Sequence, residues 1–500
     1  MKTDIKKDTW RVFLLCLLLL FAVFSIMLAD RISNDGFSDY VMNVKGTHAA
    51  WKMQLGRFSG AAAEAVLHWL GINDVAVQFP FTLALILTMA WCCADVWALE
   101  ISAFSQPDQR TKDLLLLAVL PAFINISFGE FFFFSNCAIH WIGMLLFAQL
   151  ALRVFFSKNT MGRKLLSTFL LVLSLGFYQA AVAYFIIWGL LTAVLREDLR
   201  ADRKTFRSLL EFMIVAAAAS ILTVALQKLF EVTGLVSGTD RSPGLGTLFY
   251  NLFRLATSGQ WNVQAKGMHF LGCLMGLTTF SLTIGLYVFV KKAKKSSLWL
   301  IILLSLICYG ISFLPHALTP TVWLAPRSLF GVFSYISFCA ILILYVRQGC
   351  TERGGVMHVA FAALLGVFLV ANARGIYLIG LEQIRSNITD KTVIYTVEER
   401  IEAYEQESGV SVNRIGLIFD SSTWVSNPDI KNTYMDINQR ATSVSWQIPA
   451  SFFYFFEREL DSVDVPEDVY REYFDGREWD SFNMEEQIIL IDNTLYWGVY

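Results

Sequence analysis

The stretch LLSTFLLVLSLGFYQAAVAYFIIWGLLTAVL, residues 165–195, decides the topology and with it the fold. Its 31 residues are too many for one comfortable membrane crossing and few for two, because a crossing takes roughly 20 apolar residues at about 1.5 Å each. The flanking charge fixes the count. Lys158, Arg163 and Lys164 precede the stretch, and Arg196, Arg200, Arg203, Lys204 and Arg207 follow it. Basic loops stay in the cytoplasm, so the chain must cross an even number of times between them. The stretch therefore reads as two thin spans, 165–177 and 180–195, turning at Tyr178-Gln179, with tilt or local thinning absorbing the mismatch.

Apolar runs near 10–29, 77–100, 113–128, 138–156, 208–230, 268–290, 297–314, 327–346 and 356–373 add the remaining spans, about eleven in all. Lys2, Lys6, Lys7 and Arg11 put the N-terminus in the cytoplasm. Arg110 and Lys112, the Lys291-Lys292 and Lys294-Lys295 pairs, and Arg347 and Arg353 then fall on inside loops. Odd parity sends the C-terminal tail to the opposite face. The first apolar run has no convincing small-x-small site before Asp30, so it reads as an anchor rather than a cleaved signal.

Composition agrees. Of 500 residues, 55% are hydrophobic and 16% charged, against about 25% charged in an average soluble protein, and the mean hydropathy is +0.52. An ordinary soluble enzyme, a disordered chain and a secreted disulfide scaffold are excluded. The net charge of −2 hides a split. Residues 374–500 carry 10 Lys+Arg against 23 Asp+Glu, a net of −13, and residues 1–373 carry 30 against 19, a net of +11. All eight cysteines precede the tail. None has zinc-ligand spacing, and they read as apolar fillers of helices. The expected fold is mainly α: a polytopic membrane helix bundle over 1–373 and a small extracytoplasmic α/β domain over 374–500. In the tail, Thr392–Glu407 has helical periodicity, Arg414–Phe419 and Gln487–Asp492 have strand length, and Ser451–Leu460 is aromatic and amphipathic.

The first outer loop, 30–76, carries most of the candidate chemistry. Asp30, Arg31, Asn34, Asp35 and Asp39 follow the first span, and Asp35 and Asp39 share a helix face if that segment is helical. A carboxylate at the mouth of a bundle is partly desolvated, which raises its basicity and suits it to take a proton from a hydroxyl. Trp51, Leu55, Phe58, Ala62, Val66 and Trp69 recur at spacings of three and four, the pattern of an amphipathic helix lying at the membrane interface. Lys45, His48, Lys52 and Arg57 accompany it as candidate phosphate ligands. Arg327, at the outer edge of a late span after His316, Trp323 and Pro326, offers a planar fork to phosphate. Arg241 and Arg254 are weaker phosphate candidates. Glu130, Asn136 and His140 are polar groups near membrane depth, where such residues face a cavity or one another. Tyr178 and Gln179 sit at the tight outer turn and are candidates for a sugar hydroxyl. Trp446, Phe452, Tyr454 and Trp479 of the tail are candidate sugar-stacking rings. No Walker A sequence, no GxGxxG in βαβ context and no DxD on an inside loop appears, which turns the reading away from nucleotide-driven chemistry.

In order and local signature the chain resembles the bacterial type II O-antigen glucosyltransferases, membrane enzymes of the GT-C class. Asn34-Asp35 stands where that family carries paired acids. Trp51 with Gly56-Arg57 is similar to its W…GR segment, Tyr178-Gln179-Ala180-Ala181 to its hairpin turn, and Pro326-Arg327 to a PR pair before a late span. The likeness covers the membrane part, and its one departure is Asn34 in place of the first acid. The resemblance implies a polyprenyl-phosphate hexose as donor, a cell-surface polysaccharide as acceptor, and inversion by single displacement on the outer face of the bacterial cell membrane. Asp35 is then the base, with Asp39 as the alternative. Arg327, Arg57 and Lys52 bind the donor phosphate, and Tyr178, Gln179, Glu130, His140 and Trp51 line the substrate. No cofactor, metal or nucleic acid is implied. Membrane lipids, a donor-lipid synthase and a flippase are the implied partners. A lipid-linked glycan ligase or polymerase, and a transporter or flippase of lipid-linked sugars, are the competing readings. The transporter reading lacks the internal repeat and midplane acids it calls for.

Overall fold

The computed structural model describes residues 2–237, 246, 248–254, 269–292, 298–317, 327, 330–348, 355–419, 440–477, 479 and 481–499. Arg241, Trp323 and Pro326, and the side chains of Arg254 and His316, lie outside the described set. The helices run in chain order α1 (Lys2–Phe24), α2 (Gly36–Val44), α3 (His48–Gln54), α4 (Phe58–Trp69), α5 (Gln78–Ile101), α6 (Gln109–Val119), α7 (Ile126–Phe133), α8 (Ala138–Ser157), α9 (Met161–Phe177), α10 (Ala181–Arg196), α11 (Arg203–Val232), α12 (Leu248–Arg254), α13 (His269–Lys292), α14 (Leu298–Ile311), α15 (Leu314–Ala317), α16 (Phe330–Gln348) and α17 (Gly355–Ser408). Strand β1 (Arg414–Phe419), helix α18 (Gln447–Phe456) and strands β2 (Asp461–Ser462), β3 (Ile488–Ile491) and β4 (Thr494–Val499) follow.

Among the described residues, seven helices are long and apolar enough to cross a membrane, or eight if one bent pair counts as a single span. The 165–195 stretch is two helices, α9 and α10, separated by Tyr178, Gln179 and Ala180, as its flanking charge predicts. Both are shorter than a full crossing, like α14. Small residues let neighbours close up, the usual way membrane helices pack. A Cβ on Gly143 of α8 would come within 2.6 Å of the Phe177 ring, and Ser174 Oγ of α9 donates to the Met144 carbonyl at 2.7 Å.

The bent pair is the α6 region with α7, turning by 50°. Pro121 and Asn125 explain the turn. Proline removes a ladder donor, and the fully buried Asn125 side chain satisfies the break. Its oxygen caps α7 by accepting from the Phe128 N–H at 3.1 Å, and its nitrogen donates to the Pro121 carbonyl at 2.9 Å. The bend delivers Glu130 and Asn136 to the mouth of the bundle.

The helix expected over 51–69 is two helices, α3 and α4. Gly56 stands between them at φ +73°, a left-handed conformation that ends α3 and that other residues resist. Trp51 and Trp69 do lie exposed on this pair.

At 54 residues, α17 is one helix where a span and a separate tail helix were expected. It is about 80 Å long against a hydrocarbon core of about 30 Å, so its second half projects well beyond any bilayer. There Ile394, Val397 and Ile401 pack on Ile415, Ile448, Phe452, Leu495 and Trp497. The tail sheet has strand order β2-β1-β4-β3, with β1 parallel to both neighbours and β3 antiparallel to β4. Helix α17 also grips the exit of the first span. Asn387 clasps Ile32, its oxygen accepting from the N–H at 2.8 Å and its nitrogen donating to the carbonyl at 2.9 Å. Gln383 accepts from the buried Arg31 guanidinium at 2.8 Å.

Replacing Asn387 with the similarly sized Leu strips both partners from the Ile32 peptide groups, at a cost of about 1–3 kcal/mol. The melting temperature of the variant in detergent should fall; an unchanged value would show that the clasp carries no stability.

Candidate active site

The loop 30–76, the bent α6–α7 pair and the tail meet at one place, and the meeting is organised around Asp39. This residue is 3% exposed and lies in α2. Its Oδ2 is 3.1 Å from Lys52 Nζ of α3, and it accepts a hydrogen bond from the Asn136 amide. His48 Nε2 stands 3.3 Å from the same oxygen, an ion-pair contact whose angle is poor for a hydrogen bond. On its other side His48 Nδ1 is 3.3 Å from Glu64 Oε2, and Glu64 Oε1 is 3.2 Å from His140 Nε2 of α8. Ser33 Oγ donates to Asn136 Oδ1 at 3.0 Å and ties the start of the loop to the same network.

The electrostatics follow from burial and pairing. Burial would raise the Asp39 carboxyl, but the Lys52 charge, then His48 and Asn136, hold it well below the usual carboxylate range. Lys52, which burial alone would depress, is raised above its ordinary value mainly by Asp39. His48 is depressed by burial and by Lys52, yet Asp39 and Glu64 lift it to about 9. Asp35 behaves oppositely to Asp39. It is half-buried at the start of α2, and burial, then repulsion from Asp39, raise it to about 6. Lys52, Arg327 and a hydrogen bond from Trp446 of the tail pull the other way. Asp35 is thus within electrostatic reach of Arg327, nearly 300 residues away in sequence.

Of the cations singled out in the sequence, Lys52 is 2% exposed and turned onto Asp39, away from any open surface. Arg327 donates its backbone N–H and its guanidinium to the buried Glu130 carboxylate and stacks 4.9 Å from the Phe134 ring centre. Arg57 is half-buried, lies 5.4 Å over the ring of Tyr178 and has no carboxylate partner among the described residues. Tyr178 is buried edge-on against Trp141. Gln179 Nε2 reaches the Leu55 and Gly56 carbonyls at 3.5 and 3.3 Å, so the α9–α10 turn braces the α3–α4 break. Trp51 is exposed, apart from the buried network. The loop also touches the tail. Phe37 of α2 packs against Tyr454 and Phe455 of α18, at 5.2 and 5.5 Å between ring centres, and Gln447 and Ser38 exchange hydrogen bonds at 3.2 Å.

A family model described as "Glucosyl transferase GtrII" matches residues 39–344. The chain belongs to this family. It is a glycosyltransferase of glucosyl-transferring kin, built on apolar helices of membrane-spanning length. The match takes in Asp39, Lys52, Arg57, Glu130, His140, Tyr178, Gln179 and Arg327, and stops short of Asp35 and the tail. No curated protein and no solved structure gives a significant match.

Sequence reasoning passed over Glu64 and Asp74. Glu64 sits opposite the apolar stripe of α4, yet it is 1% exposed. The available signal was its setting in Ser59-Gly60-Ala61-Ala62-Ala63-Glu64-Ala65, where small side chains let neighbours approach. A Cβ on Gly60 would sit 2.2 Å from His140 Nδ1.

Removing one partner of a buried pair leaves an uncompensated charge, so Lys52→Met should cost about 3–5 kcal/mol. Adding Asp39→Asn should recover part of the loss. Equal thermal unfolding of the single variant and the unaltered protein in detergent would contradict this.

Proposed function

We propose that the protein moves a hexose, glucose by its family, from a polyprenyl-phosphate donor to a cell-surface glycan on the outer face of a bacterial inner membrane. In this reading an eleven-span bundle over 1–373 has its N-terminus in the cytoplasm and carries the extracytoplasmic domain 374–500. Convergence supports it: Asp35 and Arg57 of the first loop, Tyr178 and Arg327, drawn from three separate parts of the chain, gather beside one buried charge network where the first loop meets the tail.

The chemistry runs as a single displacement. The acceptor hydroxyl oxygen attacks the anomeric carbon, the bond from that carbon to the phosphate oxygen breaks, and the configuration inverts. The hydroxyl proton goes to Asp35, and the polyprenyl phosphate leaves with the bonding pair. Phosphate is a competent leaving group once a cation neutralises it. Arg57 is the first candidate, being half-buried and, among the described residues, without a carboxylate partner. Arg327 is the second, since a guanidinium with five donors can hold Glu130 and still offer N–H groups. Geometry divides the two acids. Asp39 is enclosed by Lys52, Asn136 and His48, which suits it to position the site, whereas Asp35 lies at the mouth with a carboxyl poised near neutrality. In this reading Tyr178, Gln179 and His140 shape the wall; Phe452 and Trp479 of the tail are buried in its core, and the exposed Trp446 is the ring left to meet a bulky acceptor.

Asp35→Asn should lower transfer by about 10²–10⁴-fold with donor binding nearly intact; full activity would remove Asp35 as the base. The base acts ionised, so transfer should fall as pH drops below about 6. The Trp446 hydrogen bond favours the ionised form, so in Trp446→Phe the acid limb should move to higher pH. A limb that stays in place would exclude this contact. Arg57→Ala should raise the apparent KM for the lipid-linked donor at least tenfold with little change in melting temperature, and an unaltered KM would take Arg57 out of the donor site.

A further inference from the structure

Behind the Asp39 pair, three parts of the first loop point oxygen and nitrogen atoms at a common spot. His48 opens α3, Glu64 belongs to α4, and Asp74 lies in the turn that follows. Their exposures are 2%, 1% and 1%. One ligand atom from each lies within 4.8 Å of the other two. Both ring nitrogens of His48, Glu64 Oε2 and Asp74 Oδ2 are buried and make no hydrogen bond, although His48 stands 3.3 Å from Asp39 on one side and from Glu64 on the other. Buried polar atoms without a hydrogen bond are rare and costly, and here they belong to three residues of one cluster. The nearest ammonium, Lys52, is engaged with Asp39.

The surroundings suit an ion. Each carboxylate has its second oxygen held by a neighbour: Asp74 Oδ1 accepts from Asn43 Nδ2 at 3.3 Å, and Glu64 Oε1 lies 3.2 Å from His140 Nε2. Such outer contacts are the usual means of aiming metal ligands. His48 Nδ1 and Glu64 Oε2 are 3.3 Å apart, and two ligands about 2.0–2.2 Å from a tetrahedral ion are separated by about 3.4 Å. We propose that His48, Glu64 and Asp74 bind a divalent transition cation. One imidazole with two carboxylates and no thiolate fits Zn²⁺ first and Mn²⁺ second. The ion fastens α3, α4 and the 70–76 turn to one another and, through His48, fixes the setting of Asp39. Its role is to position the loop. Sequence spacing hides the site, because the ligands lie sixteen and ten positions apart on separate elements.

The test needs no sugar substrate, so it stands or falls separately from the transferase reading. The full chain is purified in detergent without chelator and its metal content measured by plasma mass spectrometry. About one Zn²⁺ or Mn²⁺ per chain is expected. Stripping with a chelator should lower the melting temperature, and titration with Zn²⁺ alone, or Mn²⁺ alone, should restore it. Glu64→Gln and Asp74→Asn should bind at least tenfold more weakly and lose the chelator-sensitive part of their stability. If either variant fails to fold, stripping and reloading the unaltered protein still decides. Unaltered protein with neither bound metal nor a thermal response to Zn²⁺ or Mn²⁺ overturns the site. Metal that stays bound with undiminished affinity in both variants overturns it too.

Discussion

The ionised Asp39 carboxylate, enclosed at the mouth of an apolar bundle, is the constraint on which the rest of the site depends. A charge taken out of water must be repaid by close partners or it neutralises. Lys52 and His48 supply them from α3, and Asn136 from the chain after α7. Because these partners must converge, the α3 helix cannot drift from α2, and the chain after the α7 bend must return beneath both. The same requirement turns Lys52 inward, though its place on an interfacial helix would otherwise suit it to lipid phosphate.

Helix α17 solves a second problem, that of holding the tail sheet steady beside the buried charge network. A flexible linker would leave the tail free to wander. One unbroken helix from Gly355 to Ser408 joins the apolar bundle to the acidic module. Along its length Gln383 meets Arg31, Asn387 meets Ile32, and Asp390 accepts from the Ala441 N–H at 3.0 Å. The exit of the first span, the start of the loop and the tail are therefore registered against a single ruler, and Trp446 arrives at Asp35 as a consequence.

What the sequence made legible was whatever depends on local periodicity and charge. The split of 165–195 at Tyr178, the strand at Arg414–Phe419 and the apolar spans follow from run length and loop charge. So does part of the site, since Asp35, Arg57 and Arg327 stand just outside apolar runs and come together in the structure. Hidden from it were features set by tertiary contact. The small residues around Glu64 allow a close approach but do not say what approaches, and its burial follows from His140 and His48, which lie on other helices. Gly56 belongs to the W…GR segment, but that motif does not reveal the left-handed backbone with which it divides α3 from α4. The continuity of α17 escaped for a related reason: the reversal of charge near residue 374 looks like a boundary, and helix propensity carries no information about charge sign.

The opposite fates of Asp35 and Asp39 show how one helix end can hold two carboxylates for two purposes. They are four residues apart and burial raises both, so their partners separate them. Asp39 has direct cationic and amide partners and stays ionised. Asp35 has those charges only at a distance, together with the repulsion of Asp39 itself, and is left close to the pH at which a proton can be taken and released. Each group thereby tunes its neighbour: without the permanent charge on Asp39, the carboxyl of Asp35 would lose part of its lift and become a weaker base. The buried pair and the half-buried acid are for this reason one device, and in the proposed transfer the cations at Arg57 and Arg327 would complete it by placing positive charge where a departing phosphate needs it.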